Sequence, residues 1–220
     1  MALVEISGVK KSFGKVNVLG GINLSLLEDR EYVIQGASGS GKSTLLYLLG
    51  GLDKPSSGKI KINNMDLADF QDEELARYRN TFVGFVFQFH FLLSSLNCLD
   101  NALLPSKLGD FDEGSIKKRI LELADFLGVD HCLQKNPFEL SGGEQQRINI
   151  IRALSLKPKL LLCDEPTGSL DSENSEKVIG LLKKLSKEFG ATLVLVTHNG
   201  EIASTFESII NIQDGLIRKN

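Results

Sequence analysis

The chain has 220 residues, of which 42% are hydrophobic and 24% are charged, and its formal net charge at pH 7 is −3. A chain of this length can bury a full hydrophobic core, and we expect one or at most two domains. The composition lacks the basic excess of a nucleic-acid-binding protein, and apolar runs such as residues 192–196 are far too short to span a membrane.

Two further features concern the location of the chain and its thiols. Glu5, Lys10 and Lys11 interrupt the N-terminus before a signal-peptide core can form, which predicts a cytosolic chain. The three cysteines, Cys98, Cys132 and Cys163, are scattered without the paired spacing of a metal site or a disulfide framework. We expect reduced thiols with a structural role.

The N-terminal segments alternate between apolar and polar residues. This pattern at residues 2–6 and 16–26 predicts half-buried antiparallel strands, and residues 58–64 predict another strand of a small sheet. Phe13 lies in the polar turn between the first two segments. It either covers the hydrophobic core or offers a stacking surface to a nucleobase.

A glycine-rich stretch follows the apolar run at residues 32–34 and precedes a helical apolar run at 45–49. It reads Gly, four residues, then Gly-Lys-Ser, which is the pattern of a phosphate-binding loop between a strand and a helix. Glycines let backbone N–H groups approach an anion, and the following helix directs its unpaired N–H groups at the same phosphates. An incidental glycine-rich turn is the alternative. The expected phosphate-binding residues are Gly36, Ser38, Gly39, Ser40, Gly41, Lys42, Ser43 and Thr44.

Helical patterns dominate the middle of the chain. Residues 72–80 predict a short amphipathic helix, and residues 82–87 predict a strand that ends at Gln88. From residue 89 to about 156 the apolar residues recur with helical spacing. The charged residues of this region are expected to face solvent.

Within this region, apolar spacing predicts helices at residues 99–104 and 116–127, and we expect Pro105 to end the first of them. After Pro158 buried apolar strands alternate with helices, and the chain closes on a hairpin around residues 214–215. Uninterrupted apolar strands that alternate with helices indicate a parallel sheet covered on both faces.

Two adjacent carboxylates follow the buried strand at residues 160–163. Neighbouring side chains of a strand point to opposite faces, so Asp164 and Glu165 cannot have the same role. Asp164 fits the metal-side carboxylate of a P-loop ATPase, close to Ser43 and Mg²⁺. Glu165 fits the group that orients or deprotonates the attacking water. Both could instead be loop or cap residues, and Asp171 could cap the helix that follows.

The predicted start of a helix near residue 141 contains two adjacent glycines. Ser141 and Glu144 form the pattern of a capping box, which explains both of them locally. The capping box does not explain Gly142 and Gly143. Each glycine weakens the first helical turn by up to about 1 kcal/mol, so their presence needs another reason. An anion close to this exposed N-terminus would account for the bare backbone.

The ordered set of motifs resembles the nucleotide-binding subunits of ABC transporters over nearly the whole chain. Phe13 matches the adenine-stacking aromatic, with Val18 beside it. By position the other matches are the Walker A loop at 36–44, the Q-loop at Gln88, the signature at 140–144, Walker B at 160–165, the D-loop at 169–171 and the switch histidine at His198.

This resemblance implies an α/β fold in which a P-loop NTPase core of the RecA type carries a small antiparallel β-subdomain and an inserted helical subdomain. The whole chain, residues 1–220, would be one ABC ATPase domain. Residues 1–88 and 157–220 would form the ATP-binding core with the antiparallel sheet, and residues 89–156 the helical subdomain with the signature.

It also implies ATP hydrolysis coupled to transport, with ATP and Mg²⁺ as cofactors. Ser43, Gln88 and Asp164 would contact the metal, and Glu165, Gln88 and His198 would act in catalysis. Two subunits would meet head to tail when ATP binds, so that Ser141, Gly142 and Gly143 of one close on the γ-phosphate held by Lys42 of the other.

Within the family, residues 48–53 and 88–93 are most similar to the lipoprotein-releasing (LolD) branch, with MacB-type efflux and FtsE-type division ATPases as neighbours. That branch implies membrane permease subunits of the LolC and LolE type, a lipoprotein cargo, no nucleic acid, and a peripheral location on the cytoplasmic face of the inner membrane. Glu144, where many members have Gln, and Asn199, where Asp is usual, depart from the family pattern.

Three other functions remain as alternatives. A soluble chromosome or repair ATPase of the same family would need a long coiled coil, and the chain has no sustained heptads. A translation-associated member would carry two cassettes in one chain. A generic P-loop kinase would not need the segment at Ser141.

Overall fold

Two β-sheets organise the chain in the computed structural model, which describes residues 1–168 and 172–218, with the backbone alone at 172 and 173. The described strands are β1 (Ala2–Phe13), β2 (Val16–Leu27), β3 (Glu31–Gln35), β4 (Ser57–Ile62), β5 (Met65–Asp66), β6 (Val83–Phe87), β7 (Leu160–Asp164), β8 (Thr192–Thr197), β9 (Ser208–Gln213) and β10 (Leu216–Arg218). The described helices are α1 (Lys42–Leu49), α2 (Asp72–Arg77), α3 (Cys98–Lys107), α4 (Glu113–Phe126), α5 (Gly142–Leu154), α6 (Ser172–Phe189) and α7 (Gly200–Ser204).

The smaller sheet is antiparallel, in the order β2-β1-β4-β5, as the alternating N-terminal segments predict. β1 extends further than predicted and reaches Phe13, which pairs with Val16 across the turn. The extension includes Lys11, whose ammonium lies 2.6 Å from the Asp53 carboxylate. That ion pair allows a charged side chain to lie in a largely buried position of the strand.

The larger sheet has the order β10-β9-β3-β8-β7-β6, and β9, β3, β8, β7 and β6 are parallel, as predicted. β7 is buried on both faces: Leu161 and Cys163 belong to the hydrophobic cluster that includes α5 and α6. Leu160 and Leu162 point the other way, into the cluster with α1 and the antiparallel sheet. The chain therefore has the mixed α/β architecture of a P-loop NTPase.

The prediction that Pro105 ends its helix is wrong, because α3 continues through Pro105 to Lys107. The proline lies close to the helix end, so that its missing N–H removes one hydrogen bond while its fixed φ suits the helix. Other contacts support this last turn. The Ser106 hydroxyl donates to the Leu103 carbonyl at 2.6 Å, and the Asn80 amide donates to the Pro105 carbonyl at 3.0 Å.

Residues 89–156 contain α3, α4 and α5, and α4 begins where Asp112 accepts hydrogen bonds from the N–H groups of Gly114 and Ser115. The assignment of this segment as a separate subdomain stays a prediction. No helix in the described part of the chain has the length and apolarity that a membrane span requires.

Candidate nucleotide-binding site

A cavity of about 1340 Å³ opens beyond the carboxyl end of β3, where a doubly covered parallel sheet binds its ligands. The loop between β3 and α1 forms its floor. The cavity brings together most of the residues singled out in the sequence: Val18, Gly36, Ser38, Gly39, Gly41, Lys42, Ser43, Thr44, Gln88, Glu165 and His198.

Two glycines of this loop have no room for a side chain. A Cβ at Gly36 would lie 2.7 Å from the Ser40 hydroxyl and would overlap the Ile212 carbonyl oxygen. Gly41 has φ of 102° and a Cβ there would lie 2.7 Å from a methyl carbon of Leu19. The loop can therefore keep its tight curve against β2 and β9 only with glycine at these positions.

The loop also holds polar groups that suit a phosphate. The Lys42 side chain is buried, and its ammonium donates to the Ala37 carbonyl at 2.9 Å, which uses one of its three N–H groups. The buried Ser40 hydroxyl has no hydrogen-bond partner among the residues that the structure describes. Together with the first turn of α1, these donors fit the phosphates of a nucleotide.

Asp164 closes the inner side of the site. The strand alternation that directs Leu160 and Leu162 toward α1 also directs Asp164 there. The Ser43 hydroxyl donates to its Oδ1 at 2.8 Å, and the Tyr47 hydroxyl donates to its Oδ2 at 2.8 Å. Burial raises the pKa of Tyr47 to about 12, and the hydrogen bond to Asp164 makes a smaller contribution in the same direction. Adjacent hydroxyl and carboxylate oxygens are ligands that suit Mg²⁺.

Glu165 lies just beyond β7 and turns away from Asp164, with φ of 46°. Its N–H donates to the Val196 carbonyl at 3.0 Å, which ties this turn to the end of β8. Its Oε1 lies 2.8 Å from His198 Nδ1, and its Oε2 accepts from the Thr197 hydroxyl at 3.2 Å. The two adjacent carboxylates therefore have separate partners, although Glu165 lies beyond the strand and its positive-φ turn, not strand alternation, directs it away from Asp164.

Gln88 is positioned by the loop after β7. A Cβ at Gly168 would lie 2.6 Å from the Gln88 side-chain nitrogen, so the two residues pack directly against one another. The end of β6 is also fixed to α5, because the Asn149 amide donates to the Phe87 carbonyl at 3.2 Å. The Gln146 amide donates to the Pro166 carbonyl at 2.7 Å, which links the same helix to the loop after β7.

The N-terminus of α5 lies outside this cavity, and Ser141 and Gly142 are exposed. The capping box is present: Glu144 Oε2 accepts from the Ser141 N–H at 2.8 Å and from its hydroxyl at 2.7 Å. These hydrogen bonds lower the pKa of Glu144 to about 2. Gly143 adds no side chain, so the exposed first turn presents mostly backbone.

A family model described as ABC transporter matches residues 19–168. The chain belongs to the ABC transporter family. It is 42% identical to the lipoprotein-releasing system ATP-binding protein LolD of Geobacter metallireducens, over 98% of each chain. It is 43% identical to the LolD of Bdellovibrio bacteriovorus, again over 98% of each chain.

Solved ABC cassettes have the same fold. The dimeric structure of the bacterial ABC transporter cassette MJ0796 superposes with a TM-score of 0.89 at 39% identity, over 98% of this chain and 97% of that one. A post-hydrolysis state of MJ0796 bound to ADP and Pi gives a TM-score of 0.88. As an ABC ATPase, the chain binds and hydrolyses ATP.

Two predicted motifs are not part of the cavity lining described above. Phe13 is 54% exposed at the end of β1 and does not line the cavity, although Val18 does. The Lys11 ammonium lies 4.8 Å from the centre of the Phe13 ring. The predicted D-loop at 169–171, including Asp171, lies outside the described residues.

The structure adds residues that the sequence analysis missed. Tyr47 shares Asp164 with Ser43, and the separation of four residues on α1 could have indicated it, since such residues lie on one face of a helix. Thr197 precedes His198 at the end of β8 and binds Glu165. Arg218 lines the cavity from the last strand, and no motif marks it.

One departure from the family pattern has a simple structural role. Asn199 Oδ1 accepts from the N–H groups of Glu201 and Ile202 at 2.8 and 3.3 Å, so it caps α7. An asparagine performs this function as well as an aspartate. α7 therefore still begins directly after Asn199.

Proposed function

We propose that this ABC ATPase is bound at the cytoplasmic face of the bacterial inner membrane, where it powers a membrane complex that releases lipoproteins from that membrane. The assignment of lipoproteins as the cargo rests on sequence identity of about 40% to LolD proteins along nearly the full length of both chains. The ATPase chemistry is supported by the cavity beside Lys42, Asp164 and Glu165.

In the proposed mechanism, the loop at 36–44 and Lys42 bind the ATP phosphates. Ser43 and Asp164, with Gln88, would hold Mg²⁺, which neutralises charge on the β- and γ-phosphates when it is bound. Glu165 orients the attacking water and accepts its proton. His198 and Thr197 hold the Glu165 carboxylate at the cavity mouth, so that its other lone pairs can face the water.

The site needs a second subunit. Ser141, Gly142 and Gly143 belong to an exposed helix N-terminus that does not line the cavity of its own chain. In a head-to-tail homodimer, each such N-terminus would close on the γ-phosphate bound by Lys42 of the other chain. The dimeric MJ0796 cassette supports this arrangement. Phe13 would stack on the adenine at the outer edge of the same site.

The membrane partner would bind beside Gln88. Phe89, Phe91 and Leu93 are exposed, at 69%, 63% and 46%, whereas Leu92 packs against the hydrophobic core. Arg152 on α5 donates to the carbonyls of Phe91 at 2.8 Å and of His90 at 2.7 Å. An exposed aromatic surface on a loop that is tied to α5 suits a short helix of a permease subunit of the LolC or LolE type.

Residues 89–156 would then move as one helical subdomain when ATP closes the dimer. Gln88 contacts both the cavity and the loop after β7, and the residues that follow it form the exposed surface. Nucleotide binding would in this way bias the position of the permease helix. The chain would remain peripheral, bound to the membrane through that partner.

The test is co-purification in detergent followed by reconstitution with the copurified membrane subunits. Replacing Phe89 and Phe91 with serine should abolish assembly or lipoprotein release from the vesicles, while ATP still binds to the isolated subunit. Phe126→Ser, at an aromatic that is 48% exposed on α4, is the matched control and should leave release intact. Normal release by the double variant would remove the proposed surface. Efflux of a small molecule, without lipoprotein release, would indicate a MacB-type role instead.

A further inference from the structure

A second cluster of polar side chains lies at the start of α5, outside the nucleotide cavity. His131 Nε2 lies 3.2 Å from Glu144 Oε1, Cys132 Sγ lies 3.4 Å from His131 Nε2, and Cys132 Sγ lies 3.4 Å from Glu144 Oε1. Among the described residues, these three side chains can place one ligand atom each within 4.8 Å of one another. The histidine and cysteine come from the short turn Asp130–Cys132, and the glutamate comes from the first turn of α5.

The triangle of donor atoms has the size of one face of a tetrahedral metal site. Zinc lies about 2.3 Å from a thiolate sulfur and about 2.0–2.2 Å from an imidazole nitrogen or a carboxylate oxygen. Tetrahedral angles at those lengths separate the donor atoms by about 3.3–3.6 Å. The observed separations of 3.2, 3.4 and 3.4 Å differ from these values by about 0.2 Å or less.

The surroundings hold the donors in place. Glu144 uses its other oxygen, Oε2, to accept two hydrogen bonds from Ser141, which fixes the direction of Oε1. Cys132 is fully buried, so its sulfur has little freedom to turn away. Asp130 Oδ1 lies 3.8 Å from His131 Nδ1, so a carboxylate lies beside the ring nitrogen that does not face the cluster.

We propose that His131 Nε2, Cys132 Sγ and Glu144 Oε1 bind a divalent transition-metal ion of the zinc class. A mixed set of sulfur, nitrogen and oxygen donors selects such an ion over Mg²⁺, which prefers oxygen ligands alone. His131 is largely exposed, so the ion can enter from solvent on the histidine side of the cluster.

Metal binding changes the charge beside Ser141. In the free site the Cys132 thiol donates to the Glu144 carboxylate, so the pair holds one S–H proton and one negative charge. The ion displaces the thiol proton to solvent, and its two positive charges then balance the thiolate and the carboxylate. The cluster changes from net negative to neutral.

This change has a consequence that rests on the proposed function. Removing a negative charge next to the α5 N-terminus favours the approach of the γ-phosphate held by a second subunit. Zn²⁺ should therefore lower the ATP concentration needed for half-maximal dimerisation by about two- to fivefold, the effect of one charge at a helix terminus. The site itself does not depend on that consequence.

The direct experiment is a Co²⁺ titration of the nucleotide-free, chelator-treated protein in excess Mg²⁺. Co²⁺ reports thiolate ligation by a charge-transfer band in the near ultraviolet, and the oxygen-only Mg²⁺ site produces no such band. We expect one equivalent of Co²⁺ to give the band, and Zn²⁺ to displace it. Cys132→Ser should abolish the band, and His131→Ala should weaken binding by about tenfold or more. Cys163→Ser, at a buried cysteine on β7, should bind Co²⁺ as the wild type does.

The results separate the site from its consequence. A missing band in the wild type, or an equal band in Cys132→Ser, would overturn the metal site. His131→Ala changes an exposed side chain, so a folded variant with unchanged affinity would also overturn it. A normal band with no effect of Zn²⁺ on the dimerisation of a Glu165→Gln protein would overturn the charge coupling alone. Absence of any ATP-dependent dimer would contradict the proposed function and leave the Co²⁺ result standing.

Discussion

Glu165 Oε1 and His198 Nδ1 lie 2.8 Å apart, across the ends of two neighbouring parallel strands. The contact holds a carboxylate at the mouth of the nucleotide cavity in a turn with positive φ. Such a backbone conformation is unusual for glutamate and persists where the surrounding contacts require it. The Glu165 side chain therefore lines the cavity and is separated from Asp164, which faces α1.

The first prediction concerns this carboxylate. Glu165→Gln should reduce ATP turnover by about 10²- to 10⁴-fold, because the amide cannot accept the proton of the attacking water. ATP affinity should stay close to that of the wild type, since the phosphate-binding loop is unchanged. Steady-state hydrolysis and equilibrium ATP binding measure the two effects. Glu188→Gln, at an exposed position of α6, is the control, and near-normal turnover by Glu165→Gln would refute the assignment.

A second prediction tests the hydrogen bond between Tyr47 and Asp164. Tyr47→Phe removes a hydroxyl that donates to a buried carboxylate at 2.8 Å, and we expect a loss of about 1.5–3 kcal/mol in the free energy of unfolding. Tyr32→Phe is the matched control, because the Tyr32 hydroxyl accepts a neutral bond from the Leu27 N–H at 2.8 Å. We expect about 0.5–1.5 kcal/mol for that bond. Urea denaturation of the nucleotide-free protein measures both, and equal losses would contradict the charged-acceptor argument.

The site and the fold differ in how far the sequence predicts them. The phosphate-binding loop follows from a local rule, the glycine spacing, whereas the divergence of Asp164 and Glu165 comes from a positive-φ turn just beyond β7. The parallel sheet and the final hairpin follow from apolar runs and an Asp-Gly turn. These features depend on neighbours in sequence.

Other features depend on contacts between distant segments, and local patterns could not predict them. α3 continues through Pro105, and Asn80, from another segment, contributes a hydrogen bond to its last turn. Cys132 and Glu144 are brought together by the packing of a short turn against α5, so the cysteine spacing carried no signal of a metal site. The bond between Gln146 and Pro166 likewise joins two motifs through tertiary structure.

The acid dependence of stability provides a third prediction. Hydrogen bonds from Ser141 lower the pKa of Glu144 from 4.5 to about 2 in the folded chain. A lowered folded-state pKa stabilises the protein above the unfolded value, and this contribution is lost as the pH falls from about 4.5 toward 2. Glu144→Gln should remove this part of the pH dependence.

Thermal unfolding in the upper part of that pH range checks the prediction. The melting temperature of Glu144→Gln should fall less steeply with acid than that of the wild type, while the two differ by a constant amount near neutrality. Glu122→Gln, at an exposed position of α4, should follow the wild-type slope. Parallel curves for Glu144→Gln and the wild type would show that the cap does not titrate as expected.

A fourth prediction concerns the nucleobase. If Phe13 stacks on adenine, Phe13→Ala should weaken ATP binding by about five- to a hundredfold, because base stacking contributes roughly 1–3 kcal/mol. GTP should lose a similar amount, since every base presents a π-face. Lys11 lies close to the ring, so Lys11→Met serves as the control for its charge. Unchanged affinity in Phe13→Ala would leave the ring with a structural role on the surface of β1.

The last prediction concerns the second subunit. Ser141 is exposed and caps α5, and in the proposed homodimer this N-terminus meets the γ-phosphate on Lys42 of the other chain. Ser141→Arg places a long side chain at that contact and should block ATP-dependent dimerisation in the Glu165→Gln background, where ATP persists. The isolated subunit should remain folded and bind ATP, because the cavity lining does not include Ser141.

Light scattering after size exclusion, with and without ATP, gives the dimer fraction. Ser115→Arg, in the exposed first turn of α4, controls for the added charge and should dimerise normally. A dimer fraction that is the same for Ser141→Arg and its parent protein at saturating ATP would place the contact elsewhere on the surface.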